Sequence, residues 1–281
     1  MHADLLATVH QLFVDGVREP TDAARTAVDA LLTALEAGEV RAAERGEDGT
    51  WSVVPEVKEG ILVGFRIGRI VEQTTATDPL PFADKDTFPV LRPSFAERGT
   101  RIVPGGSSVR RGAYLGRSVT CMPPMYVNVG AWVGDGTMVD SHALVGSCAQ
   151  IGERVHLSAG AQIGGVLEPI GLRPVIIEDD VLVGGNTGVY EGTLVREKAV
   201  LGAGVVLTAS TRVYDLVHER VLSATADEPL EIPAGAVVVP GSRPARGAFA
   251  EANGLQLYCP IIVKYRDEKT DLRAALEGDL R

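Results

Sequence analysis

Two side chains that could carry acid–base chemistry lie close together in the middle of the chain. Asp140 and His142 are two residues apart, and Asp140 occupies a place where neighbouring segments often have glycine. A carboxylate can hold and deprotonate an amine, and a histidine, which titrates near neutral pH, suits the work of a general base. Asp140 is therefore either a functional acid or a corner residue that bonds its own backbone, and His142 is either the base or a packing residue.

Three further polar residues extend this candidate site. Arg101 could bind a carboxylate with two parallel hydrogen bonds, and Glu191 could act as a second acid. Ser158 follows Asp140 by 18 residues and is a candidate substrate contact. Arg101 also has a bland interpretation as a surface residue, and Glu191 as a structural residue, so these assignments stay open here.

The elements that must position these residues follow from a six-residue period. Every sixth residue from Val109 to Ile163 is apolar, and after a shift of two residues the period resumes from Ile177 to Val213. Of these seventeen sites, sixteen are Val, Ile or Leu, and the exception is Cys121. Neither a helix nor an ordinary strand keeps residues six apart on one side without a turn between them. The period predicts short strands joined by tight corners and stacked into a hexapeptide-repeat β-helix.

Three hexads make one triangular coil, so residues 18 apart stack in columns. We expect Met122, Asp140 and Ser158 to form one column, and Gly184 and Gly202 to form another. Ile232 and Val238 predict a final partial coil. The insertion from Glu168 to Pro174 is expected to leave the β-helix and to border a cleft.

The flanking segments predict smaller units. Pro20, Thr21 and Asp22 indicate a helix start, and apolar residues at helical spacing continue to Gly38. A second apolar segment near 5–14 is expected to pack beside this helix, another helix is predicted over 57–67, and a turn with a short strand over 49–54. We expect an α-rich N-terminal domain over 1–104, the β-helix over 105–242, and a C-terminal segment over 243–281 with a β-rich run over 256–265 and a helix over 270–280.

The composition of the chain argues against several classes of protein. The 281 residues contain 27 Lys and Arg against 37 Asp and Glu, a net charge of −10. Without a basic stripe, we expect no nucleic-acid partner. No stretch approaches the roughly 20 apolar residues that span a bilayer, and the start lacks the pattern of a secretory signal, so we expect a cytoplasmic protein with no membrane partner. The three cysteines and the ligand spacings indicate no metal site.

Several stretches resemble one enzyme family, the tetrahydrodipicolinate N-succinyltransferases of lysine and diaminopimelate biosynthesis. The most specific stretches in the β-helix are 126–131, 136–140, 145–152, 155–158 and 163–169, and the flanks contribute 31–41, Trp51, 65–66, 257–259 and 262–264. The resemblance implies a left-handed coil and a homotrimer with acyl-CoA bound in clefts between subunits. It also implies that succinyl-CoA and hydrated tetrahydrodipicolinate give N-succinyl-2-amino-6-oxopimelate and CoA.

Residue by residue, the resemblance assigns roles to part of the candidate site. Asp140 matches the essential aspartate of the family, and Arg101 matches an arginine that faces a substrate carboxylate. The chain departs from the family pattern at Gly188, which stands where a glutamate is usual, and at His142, which stands where tryptophan is usual. Glu191 matches the second acid of the same family segment.

Acyl-CoA is expected as a co-substrate, with no tightly bound cofactor. Gly184 and Gly202 are candidate walls for the pantetheine arm, and Arg243 and Lys264 are candidate contacts for its phosphates. Two alternatives remain open. The same scaffold could acylate a related cyclic imine or amino diacid, or use acetyl-CoA, and a non-catalytic β-helix used for assembly is a third interpretation.

Overall fold

The computed structural model describes residues 2–74, 81–91, 95–225 and 228–266. Its N-terminal part holds three helices, α1 (His2–Val14), α2 (Asp22–Ala37) and α3 (Pro55–Ile67). A 3₁₀ turn covers Phe95–Arg98, and four short strands cover Ala43–Arg45, Trp51–Val53, Ile70–Glu72 and Ala83–Lys85. The first two of these strands pair as an antiparallel hairpin, here called the N-terminal hairpin. None of the helices in the described ranges is long and apolar enough to cross a membrane.

Helix α2 begins and ends where its sequence predicts. The side chain of Thr21 accepts a hydrogen bond from the backbone N–H of Ala24 at 3.2 Å, which caps the first turn. Gly38 ends the helix with φ 76°, a left-handed conformation that costs glycine little. Leu31 and Leu35 lie on the face of α2 that is buried in the N-terminal core.

The middle of the chain is a three-sided parallel β-helix built from strands of mostly two residues. Face 1 contains Arg101–Ile102, Thr120–Cys121, Met138–Val139, His156–Leu157, Leu182–Val183, Val200–Leu201 and Ala236–Pro244. Face 2 contains Ser108–Val109, Tyr126–Val127, Leu144–Val145, Gln162–Ile163, Gly188–Val189 and Val206–Leu207. Face 3 contains Tyr114–Leu115, Trp132–Val133, Gln150–Ile151, Ile176–Ile177, Leu194–Val195 and Glu231–Ile232.

The predicted aliphatic ladder is the core of this β-helix. None of the seventeen hexad residues is more than 3% exposed, and all belong to one apolar cluster. Cys121 takes a rung of the ladder because a buried thiol packs as a small apolar group. Its burial raises the pKa of the thiol to about 12, which keeps it protonated. The predicted final partial coil is also present, with Ile232 and Val238 fully buried.

The predicted columns need one correction. The insertion leaves the coil after Ile163, and the chain re-enters face 3 at Ile176. Because Leu157 pairs with Val183 and Val183 pairs with Leu201, Gly184 and Gly202 stack above Asp140 and Ser158. The two predicted columns are therefore a single column along the edge between faces 1 and 2. The insertion lengthens one coil but leaves the pairing of the strands above it unchanged.

The ends of the β-helix differ from the expected boundaries. Its first strand, Arg101–Ile102, pairs with Thr120–Cys121, so the coil starts before residue 105. At the other end, Ala236–Pro244 and Gln256–Tyr265 pair as a long antiparallel hairpin that extends face 1 across the predicted boundary at 242. This C-terminal hairpin carries the short helix α4 (Ala248–Ala252). Two shorter strands, Val213–Asp215 and Arg220–Leu222, complete the same sheet. The helix predicted over 270–280 lies outside the described residues.

The N-terminal part packs on face 3. The rings of Tyr114 and Trp132 stack there with centroids 3.8 Å apart, and the guanidinium of Arg41 lies 3.9 Å from the centroid of Trp132. Trp51 of the N-terminal hairpin donates its indole N–H to Glu178 at 2.8 Å. These contacts fix the helical part against one side of the β-helix.

Candidate functional site

Asp140 lies at the corner where the chain leaves face 1 for face 2. Its backbone N–H donates to the carbonyl of Leu157 in the next coil at 2.9 Å. Its Oδ1 atom accepts from the N–H of Ser141 at 2.7 Å, while Oδ2 has no partner among the described residues. One oxygen of the carboxylate therefore holds the corner, and the other is available for a ligand. The structural and the functional interpretations of Asp140 are compatible.

His142 belongs to the same corner. Its φ of 62° is unusual for a residue with a side chain, and its N–H donates to the carbonyl of Pro124 in the coil below. The carbonyl of His142 accepts from Nε2 of Gln162 at 3.2 Å. The imidazole is exposed and makes no hydrogen bond within the described ranges. His142 is thus not a buried packing residue within a single chain.

Ser158 and Arg101 lie on the same side of the β-helix as Asp140. Ser158 stands one coil above Asp140, which corresponds to about 5 Å between neighbouring strands. Arg101 is exposed on face 1, and its strand lies two coils below Met138, roughly 10 Å along the axis. The structure therefore places Asp140, His142 and Ser158 at one edge, here called the Asp140 edge, and Arg101 on the adjoining outer surface of face 1.

Glu191 lies elsewhere. It occupies the corner between faces 2 and 3, with φ 52° and an exposed side chain. Its Oε2 atom accepts from the N–H of Ala209 in the next coil at 2.7 Å. Within one chain, face 2 separates Glu191 from the Asp140 edge, so the two acids do not form a pair. The two residues lie at different corners because Glu191 follows a strand of face 2, whereas Asp140 follows a strand of face 1.

Gly188 lies on face 2 beneath the ring of Tyr190. A Cβ atom added to Gly188 would lie 2.5 Å from Cε2 and 2.9 Å from the hydroxyl oxygen of Tyr190. The same ring covers Gly164 one coil below, where an added Cβ would lie 2.8 Å from Cδ1. Tyr190 thus fills the position from which a side chain of residue 188 would project, and sequence reasoning did not single it out.

The stacking of the coils requires glycine at 184 and leaves little room for a side chain at 202. A Cβ atom on Gly184 would lie 2.5 Å from the N atom of Ala203, and one on Gly202 would lie 3.1 Å from the carbonyl oxygen of Val238. Both distances are to backbone, which cannot move aside as a side chain can. This packing accounts for the two glycines without a ligand, and their part in binding the pantetheine arm stays a prediction.

Arg243 lies in the wall of a cavity of about 710 Å³ beside the C-terminal hairpin. Arg212 and Arg246 line the same cavity, together with Ser210, Thr211 and Tyr258, and its lining contains no acidic residue. The sequence analysis did not identify Arg212 or Arg246, because the three arginines meet only when the hairpin folds back beside residues 210–212. In a chain with a net charge of −10, this arrangement is suited to an anionic group.

Lys264 lies on the same hairpin but away from this cavity. It pairs with Val237, whereas Arg243 pairs with Leu257 near the far end of the two strands. The separation of six residues between positions 237 and 243 corresponds to roughly 20 Å of extended strand. Lys264 and Arg243 are therefore placed to contact different parts of a long ligand.

Across the ranges that the structure describes, no group of three or more His, Cys, Asp or Glu side chains could hold a metal ion.

Comparisons with known protein families match both parts of the chain. Residues 5–67 match the family described as tetrahydrodipicolinate N-succinyltransferase N-terminal. Residues 174–209 match the hexapeptide repeat of succinyl-transferase. A crystal structure described as a 2,3,4,5-tetrahydropyridine-2-carboxylate N-succinyltransferase from Campylobacter jejuni superposes with a TM-score of 0.55. It is 17% identical in sequence, and the match covers 87% of this chain and 64% of that one. At this identity the likeness concerns the fold alone.

Curated relatives are similar over nearly the whole length. A 2,3,4,5-tetrahydropyridine-2,6-dicarboxylate N-succinyltransferase from Idiomarina loihiensis is 43% identical over 271 residues, which are 94% of this chain and 92% of the relative. Enzymes with the same name from Bradyrhizobium diazoefficiens and Nitrobacter hamburgensis are 42% and 41% identical. The match covers 95% of this chain and 94% of the first of these two relatives, and 99% of this chain and 99% of the second. With its aliphatic ladder, its Asp140 edge and these relatives, the chain belongs to the 2,3,4,5-tetrahydropyridine-2,6-dicarboxylate N-succinyltransferase family.

Proposed function

We propose that this protein transfers the succinyl group of succinyl-CoA to the amine of hydrated tetrahydrodipicolinate, in lysine and diaminopimelate biosynthesis. The observation that carries the proposal is the Asp140 carboxylate, which has one oxygen available and shares an edge with Ser158, beside the face that holds Arg101, in a chain of this family. The product is N-succinyl-2-amino-6-oxopimelate, and CoA leaves as the free thiol. An enzyme of this pathway would work in the cytoplasm.

The chemistry assigns a task to each residue of the Asp140 edge and to Arg101. The amine nitrogen attacks the thioester carbonyl, the new C–N bond forms, and the C–S bond breaks as the thiolate leaves and gains a proton. The ring opens when the bond between this nitrogen and the hydroxyl-bearing carbon breaks, the hydroxyl proton passes to nitrogen, and the carbon becomes the ketone of the product. Oδ2 of Asp140 accepts the proton that the amine loses, which is the work of a general base. The guanidinium of Arg101 binds a carboxylate of the diacid, and the hydroxyl of Ser158 donates a hydrogen bond to the substrate. His142 is the alternative base at the same corner.

The position of Glu191 supports an oligomeric site. Within one chain, Glu191 lies across face 2 from Asp140, so it could approach an Asp140 carboxylate only on a neighbouring subunit. We infer a homotrimer of left-handed coils with the reaction in the cleft between subunits, as the family resemblance implies. Sedimentation velocity tests the trimer, and a monomer that is fully active would contradict it.

The arginine cavity supports a site for the phosphates of CoA. Arg212, Arg243 and Arg246 present guanidinium groups to one space with no acid in its lining, and guanidinium groups bind phosphate with paired hydrogen bonds. Lys264, Gly184 and Gly202 would then contact parts of the co-substrate nearer to the coil. We expect Arg243→Gln and Arg246→Gln each to raise the KM for succinyl-CoA at least tenfold while kcat changes little.

An arginine of the same chain that lies outside the cavity provides the control for the CoA assignment. Arg154→Gln removes an exposed arginine that is paired with Asp180 and Glu153 away from the cavity, so its KM should equal that of the wild type. A succinyl-CoA analogue without its 3′-phosphate should be less sensitive to the arginine substitutions than succinyl-CoA itself. Equal KM values for all variants would contradict the assignment.

The reaction is tested by thiol release with succinyl-CoA and tetrahydrodipicolinate. The wild type should turn over, and Asp140→Asn should lower kcat by about 10² or more, the size of a lost general base. His142→Asn is preferable to a bulkier change, because asparagine tolerates the positive φ of that corner. Glu191→Gln tests the second acid in the same assay.

Three results would count against the proposal. An inactive wild type with this pair of substrates would exclude the reaction, and at least a hundredfold preference for acetyl-CoA would reassign the acyl donor. Unchanged kcat in Asp140→Asn would remove Asp140 from the chemistry. Calorimetry with each acyl-CoA would then decide between another acyltransferase and a non-catalytic β-helix, which would bind neither.

A further inference from the structure

Tyr190 lies on face 2 and has no task in the proposed reaction. Its side chain is half-buried and runs across the outer surface of the sheet. The end of the ring nearer the backbone covers Gly164, where an added Cβ atom would lie 2.8 Å from Cδ1. The far end covers Gly188, where an added Cβ atom would lie 2.9 Å from the hydroxyl oxygen and 3.0 Å from Cζ. The ring therefore lies across two neighbouring coils, in space that the two glycines leave.

The ring of Tyr190 points back toward the Asp140 edge. Tyr190 follows the strand Gly188–Val189, at the corner with face 3. Gly188 is the first residue of that strand and comes just after the corner with face 1. Because the hydroxyl lies over Gly188, it occupies the half of face 2 that adjoins the Asp140 edge. A residue at one corner thus carries a polar group across the sheet toward the other corner.

Above Tyr190, face 2 ends at the arginine cavity. Gly188 pairs with Val206, whose strand is the last of face 2. The backbone N–H of Val206 donates to the hydroxyl of Tyr258 at 2.6 Å, and Tyr258 lines the cavity together with Arg243. Neighbouring strands lie about 5 Å apart, so the hydroxyl of Tyr190 lies roughly 5 Å along the coil axis from the strand that the cavity wall contacts.

Below Tyr190, the same face leads to the corner of Asp140. Gly188 pairs with Gln162, and Gln162 pairs with Leu144, the first residue of the strand that follows Asp140. Two strand spacings correspond to roughly 10 Å along the axis. The hydroxyl of Tyr190 therefore lies between the level of the arginine cavity and the level of Asp140.

The hydroxyl of Tyr190 makes no hydrogen bond within the ranges that the structure describes. The backbone beside it is held, because the carbonyl of Tyr190 accepts from the hydroxyl of Thr193 at 2.7 Å. A half-buried phenol usually has a hydrogen-bond partner, and its hydroxyl can both donate and accept. A ring held in this way, with its hydroxyl available, is suited to bind a polar group of a ligand that crosses face 2.

We propose that the hydroxyl of Tyr190 binds the pantetheine arm of the acyl-CoA through one of the two amide groups of that arm. This inference rests on the proposed function, which places the phosphates in the arginine cavity and the thioester at Asp140. A ligand with these two ends spans about three strand spacings, roughly 15 Å, so its middle passes the coil of Tyr190. The heights along the coil are the same for a cleft between subunits related by an axis along the β-helix.

The chemistry of the arm fits this position. Pantetheine is an aliphatic chain interrupted by two amides, so the ring can pack on its methylene groups while the hydroxyl donates to an amide carbonyl. No bond of the arm changes in the reaction. Tyr190 therefore acts in binding and not in the chemical step.

The experiment is calorimetric titration of the full chain with CoA and with adenosine 3′,5′-bisphosphate, which lacks the arm. We expect Tyr190→Phe, which keeps the ring, to weaken CoA binding about threefold to tenfold, the size of one neutral hydrogen bond, and to leave bisphosphate binding unchanged. Arg243→Gln should weaken the binding of both ligands. Tyr114→Phe is the matched control, because it removes a phenol hydroxyl from face 3, and it should change neither affinity.

The outcomes separate this inference from the proposed function. If Arg243→Gln weakens CoA binding but Tyr190→Phe does not, the CoA site stands and the contact of Tyr190 with the arm is overturned. Equal weakening of CoA and bisphosphate by Tyr190→Phe would place the hydroxyl at the nucleotide and also overturn it. A wild type that binds no CoA would remove both the CoA site and the contact.

Two further measurements are independent of folding. The melting temperature of Tyr190→Phe without ligand should equal that of the wild type, and CoA should raise it by less. With succinyl-CoA, Tyr190→Phe should raise KM in proportion to the lost CoA affinity and leave kcat within about twofold. A lower kcat with an unchanged KM would assign the hydroxyl to the chemical step and overturn the proposal, as would equal stabilisation of the two proteins by CoA.

Discussion

The ring of Tyr190 occupies the space above Gly188, because a Cβ atom added to Gly188 would lie 2.5 Å from Cε2 of the ring. Glycine at 188 and tyrosine at 190 are therefore a matched pair on face 2.

This packing predicts a coupled pair of substitutions. Gly188→Ala should lower the free energy of unfolding by about 1–3 kcal/mol, the usual cost of overpacking. In a Tyr190→Ala background, Gly188→Ala should cost much less, because the new methyl group then meets no ring. Urea denaturation of both single variants and the double variant measures the coupling. Strictly additive effects would mean that the ring does not lie over Gly188.

The aliphatic ladder predicts a large cost for a truncated rung. Leu201 is fully buried between Val183 and Val238, so Leu201→Ala should lower the free energy of unfolding by about 2–5 kcal/mol. Val206 lies on the outer side of face 2 and is 37% exposed. Val206→Ala should change stability by less than about 0.5 kcal/mol in the same denaturation experiment. Similar losses for the two variants would contradict the assignment of Leu201 to the core.

The contact between the N-terminal hairpin and face 3 depends on one buried acid. Glu178 is 3% exposed and accepts hydrogen bonds from Trp51, from Arg196 and from the N–H of Glu197. Glu178→Gln keeps the shape but removes the charge, and we expect a loss of about 1–3 kcal/mol. Hydrogen exchange should then speed up across residues 43–53. Glu153→Gln, at an exposed corner, should leave exchange in the hairpin unchanged.

Asp215 predicts a loss of stability in acid. Burial raises the pKa of this carboxyl, but hydrogen bonds from His218, Tyr265 and Arg220 outweigh it and hold the pKa well below its ordinary value of 3.8. Because the folded pKa is the lower one, the ionised group stabilises the fold above about pH 4, and this contribution falls away as the pH drops below that value.

Melting temperatures between pH 2 and 7 check this sign. Asp215→Asn should be less stable than the wild type at pH 7, and the difference should shrink as the pH falls below about 4. Glu219→Gln removes an exposed carboxylate from the same turn and should show no such convergence. A constant difference between Asp215→Asn and the wild type at every pH would contradict the assigned ionisation.

The sequence by itself determined the repeating parts of this fold. Rungs such as Val139 and Leu157 recur at a period that only stacked corners can bury on one side, and Thr21 with Gly38 marks both ends of helix α2. These features depend on neighbours a few residues away or on the coil directly above. For the same reason, Asp140 and Ser158 could be placed in one column from their spacing alone.

The tertiary structure decided where non-repeating segments meet the coil. The insertion hid the fact that Ser158 and Gly184 occupy the same position of the repeat in successive coils. The contact of Arg173 with Gly192 depends on how the insertion folds back onto the β-helix. Likewise, Arg212 and Arg246 share a cavity only because the C-terminal hairpin returns along face 1. Glu191 and Asp140 both follow strands, but Glu191 follows face 2 and Asp140 follows face 1. Their separation therefore results from the three-sided shape of the β-helix. Spacing predicts burial within a repeat, whereas contacts between segments distant in sequence depend on the packing of the whole chain.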